Sequence, residues 1–271
     1  MKRAIVSGPL DDLRFADVRF LQEASNLGPL HVLLWPDAAV QRATGKPPKF
    51  PFAERDYVVS SLRFVQRAIE GPSVVQPDSL PNPVDGDTWV MRESEATDAR
   101  RRWCEAKGLE RRIIPDATLA IAPPAPECPV EPRSSRKKVV VTGCFDWFHS
   151  GHVRFFEEVS ELGDLYVVVG HDDNIRLLKG EGHPLFPAVQ RRYIAGAIRF
   201  VTQALISTGD GWMDAEPEFL KIRPDIYAVN EDGDRPEKRE FCDRHGIEYR
   251  VLKRLPREGL PRRQSTSLRG F

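Results

Sequence analysis

The feature of this 271-residue sequence that most constrains its fold is an internal repeat, in which the second half restates the first. The segments RAIVSG (3–8) and VRFL (18–21) recur with the same spacing as KVVVTG (138–143) and VRFF (153–156). After one inserted residue the match continues, so that Arg55 and Tyr57 correspond to Arg191 and Tyr193. A repeat sustained over this length predicts two homologous domains.

A proline-rich segment, PPAPECPVEP (123–132), separates the two copies. Proline at this density favours an extended, semi-rigid connector over helix or sheet. We therefore predict a first domain over residues 1–122, a linker over 123–136 and a second domain over 137–271.

The pattern inside the second copy predicts a βαβ unit. An apolar, β-branched run (139–141) leads through a glycine-containing turn into a helical pattern with Val153, Phe156 and Val159 on one face. A second apolar run, 165–169, follows. We predict an α/β protein of two tandem Rossmann-like domains, each a small parallel sheet with helices on both faces.

Charge and composition limit the classes of binding partner that the chain can have. The 40 basic residues balance the 40 acidic ones, so no global field draws the chain to nucleic acid or to an anionic membrane. The sequence has no apolar stretch near the roughly 20 residues that a membrane span needs, and its first residues are typical of a strand rather than an export signal. We expect a cytoplasmic protein that binds a small molecule, with no nucleic acid and no membrane span.

The chemistry is expected at the carboxyl ends of the strands, where helix amino termini present free N–H groups to anions. The turn after the first strand of the second copy leads directly into His149-Ser150-Gly151-His152. The two imidazoles are three residues apart and share one helix face, and Gly151 leaves room for a phosphate near the backbone. Donors fixed in this way suit nucleotidyl transfer, in which charge develops on oxygens of the α-phosphate.

The run TGCFDWFHSGH (142–152) resembles the TGxFDxxHxGH signature of cytidylyltransferases, within the HxGH nucleotidyltransferase superfamily. The resemblance implies that His149 and His152 contact the triphosphate and stabilise the transition state, and that Lys179 binds the phosphates of both substrates. It also implies that Arg191, at the place of a family arginine, binds the nucleotide. The implied nucleotide-binding residues of the signature itself are Thr142, Gly143, Cys144, Phe145, Asp146 and Gly151.

Two further segments resemble parts of that family's site. The segment QSTSLR (264–269) is similar to an ISSTxxR motif that grips the β- and γ-phosphates, with Ser265, Thr266 and Arg269 aligned. It departs from the motif at Gln264, and we expect its helix to be very short or missing. Relatives contact the base and ribose at the place of Asn230, Glu231 and Asp232, although base choice does not follow from this pattern.

Magnesium is expected as a companion of the nucleotide rather than as a resident metal. Mg²⁺ usually binds substrate phosphates with few protein ligands, so no metal site is predicted in the protein. Asp146 is the alternative, as a single carboxylate ligand to Mg²⁺.

The first copy has lost the motif. The positions that match HSGH carry Arg14, Phe15, Ala16 and Asp17. Because an aspartate would repel a triphosphate, we predict a degenerate, non-catalytic domain. The tandem arrangement is similar to that of phosphoethanolamine cytidylyltransferases. It suggests an intramolecular pseudo-dimer, with higher oligomers also open.

The leading functional hypothesis is transfer of CMP from CTP to a small phosphorylated alcohol or polyol, with release of pyrophosphate. An adenylyltransferase acting on a sugar phosphate or cofactor precursor is the enzymatic alternative, since HxGH does not select the base. A non-catalytic, nucleotide-binding regulatory protein is the alternative from another class.

Overall fold

The computed structural model describes residues 2–81, 86–124 and 134–268, without the side chains of Thr266 and Ser267. The chain divides into two compact units, Met1–Ile121 and Ala122–Phe271. Most of the predicted linker, 125–133, lies outside the described residues.

The first unit alternates strands and helices. Its elements are β1 (Ala4–Gly8), α1 (Phe15–Ser25), β2 (Leu30–Leu34), α2 (Asp37–Thr44), α3 (Phe52–Ser60), β3 (Val65–Glu70), β4 (Thr88–Arg92), α4 (Asp98–Lys107), β5 (Glu110–Ile114) and α5 (Asp116–Leu119).

The second unit has the same order of strands, with an additional α-helix between its third and fourth strands. Its last described element is a short 3-10 helix, Ser265–Leu268, where the first unit has α5. The elements of the second unit are β6 (Lys138–Gly143), α6 (Ser150–Ser160), β7 (Asp164–Val169), α7 (Asp172–Lys179), α8 (Ala188–Ala197), β8 (Val201–Ile206), α9 (Glu216–Ile222), β9 (Ile226–Asn230), α10 (Pro236–His245) and β10 (Glu248–Leu252).

Each unit contains a parallel sheet of five strands, which confirms the predicted fold class. The strand orders are β3-β2-β1-β4-β5 and β8-β7-β6-β9-β10, so the two sheets have the same topology. Ala4 lies opposite Leu30 in the first sheet, and Val139 opposite Leu165 in the second. In both sheets the pairing of the second strand with the third shifts register directly after this leucine. The sequence repeat is therefore a repeat of backbone geometry as well.

Burial explains why the strand sequences are so apolar. Val139, Val140 and Val141 are fully buried in β6, and every residue of β7 is buried. Parallel strands covered by helices on both faces require apolar, β-branched runs of this kind. None of the described helices combines the length and the apolarity that crossing a bilayer requires. The sheet is the rigid base on which the loops at the carboxyl ends of its strands are built.

Candidate active site

The helix α6 begins at the carboxyl end of β6, the central strand of the second sheet. His149 is its N-cap, and the Nδ1 atom accepts a hydrogen bond from the Gly151 backbone N–H at 3.1 Å. Since Nδ1 is the acceptor, the ring hydrogen of the neutral imidazole lies on Nε2. The buried Nε2 has no hydrogen-bond partner among the described residues. The cap therefore leaves one buried ring N–H without a partner in the described part of the chain.

The second imidazole stacks on the first. The rings of His149 and His152 have centroids 4.0 Å apart and an interplanar angle of 21°. Phe145 contacts the His152 ring edge-on at 5.3 Å, and Phe148 lies at the same centroid distance. His152 Nδ1 is also buried without a partner among the described residues. The two phenylalanine rings hold His152, and the stack holds His149 against it.

Burial keeps both imidazoles neutral. It lowers the pKa of His149 to about 3, helped by the positive charges of Arg254 and Arg263. The pKa of His152 is also held well below its ordinary value, by burial first and then by His149, Arg254 and Lys179. Neutral rings act on a phosphate as oriented hydrogen-bond donors, a role that suits developing charge on oxygen.

Gly151 leaves space for the ring of the capping His149. That it also leaves room for a phosphate stays a prediction. A Cβ atom on Gly151 would lie 2.9 Å from the Cε1 atom and 3.0 Å from the Nδ1 atom of His149. Any side chain here would displace the capping imidazole. The glycine therefore makes room for His149 itself.

A cavity of about 320 Å³ opens in front of His152. Its walls are the turn after β6, the start of α6, the end of α7, the loop after β9, the start of α10 and the carboxyl-terminal segment. The lining residues are Thr142, Gly143, Cys144, Phe145, Asp146, Gly151, His152, Phe155, Lys179, Val229, Asn230, Asp232, Gly233, Lys238, Arg254, Gln264 and Ser265.

Most of the residues singled out from the sequence come together there. Those in the cavity wall are Thr142, Gly143, Cys144, Phe145, Asp146, Gly151, His152, Lys179, Asn230, Asp232 and Ser265. His149 stacks against His152 without lining the cavity, and Glu231 lies 3.7 Å from Arg262 in an ion pair. Arg269 and the side chain of Thr266 lie outside the described residues.

Arg191 is not in the cavity wall. Its side chain is 1% exposed, and its guanidinium donates to the carbonyls of Phe186, Cys144 and Gly170 at 2.6 to 2.8 Å. It also pairs with Asp172 at 2.7 Å. These bonds tie together the loops that follow β6 and β7, which makes Arg191 a residue that positions the site from behind.

Asp146 has a comparable task. Its carboxylate accepts the backbone N–H groups of Leu185 and Phe186 at 2.8 to 3.0 Å, which attaches the loop before α8 to the turn after β6. Within the described ranges, no group of three or more His, Cys, Asp or Glu side chains is placed to hold a metal ion. The sequence alternative of Asp146 as a magnesium ligand stays a prediction.

Two cations of the cavity wall were missed by the sequence analysis. Arg254 pairs with Asp232 and donates to the carbonyl of Arg263 at 3.1 Å. Its position just after β10 could have indicated it, because all strands of a parallel sheet end at the same edge. Lys238 lies in α10, where no motif or spacing marks it.

The fold and the site together define an α/β nucleotidyltransferase of the HxGH type. Residues 140–235 match the cytidylyltransferase-like family model. The FAD synthase of Ferroglobus placidus is 38% identical over 120 residues, which are 43% of this chain and 75% of that protein. The FAD synthase of Thermococcus kodakarensis is 35% identical over 130 residues, 47% of this chain and 85% of that protein.

A third relative is similar over a smaller part of its length. The bifunctional protein HldE of Methylococcus capsulatus is 38% identical over 101 residues, which are 37% of this chain and 21% of that protein. The chain belongs to the cytidylyltransferase-like family and is a nucleotidyltransferase.

Proposed function

We propose that the second unit transfers a nucleotidyl group from a nucleoside triphosphate, bound with Mg²⁺, to the phosphate of a small acceptor. An acceptor phosphate oxygen attacks the α-phosphorus, the bond from that phosphorus to the bridging oxygen breaks, and pyrophosphate leaves. The stacked pair of neutral imidazoles carries this proposal, because His152 lines the cavity and His149, stacked on it, has a buried N–H group without a partner among the described residues. Neutral donors held in this way suit an oxygen that gains charge.

The charges around the cavity support a phosphate-rich ligand. Lys179, Lys238 and Arg254 lie in its wall. The carboxylate of Asp146 is engaged by backbone N–H groups and that of Asp232 by Arg254. The cations therefore outweigh the carboxylates, and Mg²⁺ would enter on the triphosphate, as is usual for this ion.

Two donors are supported by different observations. FAD contains an adenylyl group, so the name of the two FAD synthases favours ATP and adenylyl transfer to a phosphorylated cofactor precursor. The match to the cytidylyltransferase-like model favours CTP and a phosphorylated alcohol or polyol. We place ATP first because the alignments with the two FAD synthases cover most of the length of those proteins.

The test is pyrophosphate release by the full chain with Mg²⁺ and either ATP or CTP. The acceptors would be flavin mononucleotide, sugar phosphates and polyol phosphates, each tested with both donors. Turnover with one donor and one class of acceptor is the expected result. Tight triphosphate binding without pyrophosphate release from any pair would contradict catalysis and favour a regulatory nucleotide-binding protein.

We further propose that the first unit does no chemistry. Asp17, at the place of His152, accepts the Arg14 backbone N–H at 2.7 Å and pairs with Arg92 at 2.6 Å. Arg92 lies at the carboxyl end of β4, where β9 of the second unit carries Asn230. An internal ion pair stands where the second unit has an imidazole and an amide.

A further inference from the structure

Lys238 adds positive charge to the cavity, but the reaction outlined above assigns it no contact with the ligand. Its side chain lies in the cavity wall, and the residue is 8% exposed. The Nζ atom donates to the carbonyl of Gly233 at 3.1 Å and lies 5.5 Å from the centre of the Tyr227 ring. An ammonium has three donors, and among the described residues the Gly233 carbonyl accepts from one of them. The other two are available to a ligand in the cavity.

The first unit contains the same arrangement with its charge balanced. Trp89 occupies the same place as Tyr227 in the other sheet. Trp89 in β4 lies opposite Ile5, and Tyr227 in β9 lies opposite Val140, the residue that matches Ile5 in the repeat. Arg100, the third residue of α4, lies over Trp89 at 5.3 Å, just as Lys238, the third residue of α10, lies over Tyr227. The cation above an aromatic ring is therefore part of the shared scaffold.

The two cations differ in their counter-ions. Arg100 has the carboxylates of Glu95 and Asp78 at 3.2 and 3.7 Å, and it donates to the Pro77 carbonyl at 3.0 Å. Lys238 forms no ion pair within 4 Å in the part of the chain that the structure describes. The unit with the imidazole pair has the cation but, among its described residues, no carboxylate within ion-pair distance of it.

Three acidic side chains, those of Asp214, Asp232 and Asp234, act electrostatically on Lys238, and each has another partner. Asp214 accepts a hydrogen bond from the Ser207 hydroxyl. Asp232 pairs with Arg254, and Asp234 pairs with Arg239. Burial lowers the pKa of Lys238, which reflects the cost of holding an ammonium away from water. A buried charge with one protein acceptor and an open cavity in front of it is suited to a ligand that supplies the missing acceptors.

The position of Lys238 indicates which part of the ligand it contacts. The sheet order places β9 and β7 on opposite sides of β6, and His152 follows β6. Lys179 ends the helix after β7, whereas Lys238 lies in the helix after β9, beside Asn230 and Asp232 in the wall. The two lysines therefore stand on opposite sides of the imidazole pair.

We propose that Lys238 donates a hydrogen bond to an acceptor atom of the nucleoside part of the bound nucleotide, while the phosphates lie between His152 and Lys179. This inference rests on the proposed function. It assigns Lys238 a role in nucleotide affinity and specificity, and the chemical group recognised is a carbonyl oxygen, ring nitrogen or hydroxyl rather than a phosphate.

The test compares the full chain with its Lys238→Met variant by calorimetric titration. The ligands are MgATP, MgCTP and magnesium tripolyphosphate, which has the charge of a triphosphate without a nucleoside. We expect the affinity for the preferred nucleotide to fall about 10- to 100-fold, as for a lost charge-assisted hydrogen bond, and tripolyphosphate affinity to stay unchanged. The melting temperature should stay equal or rise, because a desolvated charge is removed.

Arg100→Met is the matched control. It should lower the melting temperature, since it leaves Glu95 and Asp78 without their partner, and it should leave nucleotide affinity unchanged. Lys238→Gln, which keeps a donor without the charge, replaces Lys238→Met if that variant does not fold.

Three results would overturn the inference. An equal loss of tripolyphosphate affinity would make Lys238 a phosphate ligand. Unchanged nucleotide affinity with a lower melting temperature would make it structural. A wild-type chain that binds neither nucleotide would contradict the proposed function as well. If the wild type is active and the variant binds as tightly, only the role of Lys238 is contradicted.

Discussion

The two units have one scaffold and two different sites, and the comparison separates residues that hold the fold from residues that perform chemistry. Arg55 and Arg191 show the shared part. Both are buried, and each guanidinium donates to three carbonyls and one aspartate at corresponding places. The partners are Pro9, Trp35, Phe50 and Asp37 for Arg55, and Cys144, Gly170, Phe186 and Asp172 for Arg191.

The sites themselves differ at the carboxyl ends of the strands. Arg14 replaces His149 as the N-cap, and Asp17 replaces His152. Thr44 ends α2 where Lys179 ends α7, and its hydroxyl donates to the Val40 carbonyl. The side chains that would meet a triphosphate have changed, whereas the clamps behind them have not. A residue kept in both units is therefore expected to be structural, and one kept only in the second to be functional.

Removing the two buried arginines, Arg55 and Arg191, tests whether they stabilise the scaffold that the two units share. Arg55→Met and Arg191→Met should each lower the free energy of unfolding of their own unit by about 3 to 5 kcal/mol, because each breaks an ion pair with an aspartate and leaves three carbonyls without the guanidinium donor. Denaturant unfolding, followed by hydrogen exchange on the strands of each unit, would assign the loss. An Arg191→Met protein that stays stable but no longer binds triphosphate would show that Arg191 contacts the nucleotide.

This case also shows what the sequence could and could not predict. The repeat, the fold class and the HSGH motif were readable because they depend on local pattern and spacing. Arg191 was assigned to nucleotide binding from a family position, although its match to Arg55 in the unit without the motif already indicated a structural role. Asp146 has the same signal, since Asp11 likewise accepts two backbone N–H groups, from Lys49 and Phe50.

Other parts of the site depend on packing that no local pattern encodes. Lys238 lies in the cavity wall because α10 begins near the end of β9. Its charge faces the cavity without an ion pair among the described residues, unlike that of Arg100, which pairs with Asp78 and Glu95. The need for Gly151 follows from the direction of the His149 ring, which is set by the cap. Such features require the fold before they can be seen.

The next largest effect concerns the chemistry itself. His152→Ala should lower turnover with the preferred donor and acceptor by about 100-fold or more, as expected for the loss of an oriented donor at the transition state. Asp17→Asn is the matched change in the first unit and should leave turnover unaltered, since it keeps an acceptor for the Arg14 backbone N–H. Pyrophosphate release measures both. Equal losses in the two variants would refute the assignment of chemistry to the second unit alone.

The smallest effect is a difference in acid sensitivity between the units. His149 has a folded pKa of about 3, below the ordinary value of 6.5, so the unfolded chain takes up a proton that the folded unit excludes. The stability of the second unit is therefore complete above pH 6.5 and is lost as the pH falls from 6.5 towards 3. Between pH 6.5 and 5.5, His149 alone should lower the free energy of unfolding by about 1 kcal/mol.

His149→Asn tests this contribution, because asparagine caps a helix well and does not titrate in this range. Hydrogen exchange of the β6 and β7 amides, corrected for intrinsic rates, gives the local free energy at both pH values. The variant should lose about 1 kcal/mol less than the wild type over that interval. Arg14→Asn, at the same place in the first unit, should leave the pH dependence of β1 and β2 unchanged, since arginine stays protonated throughout. If the two asparagine variants alter their pH slopes equally, burial of His149 is not the source of the difference.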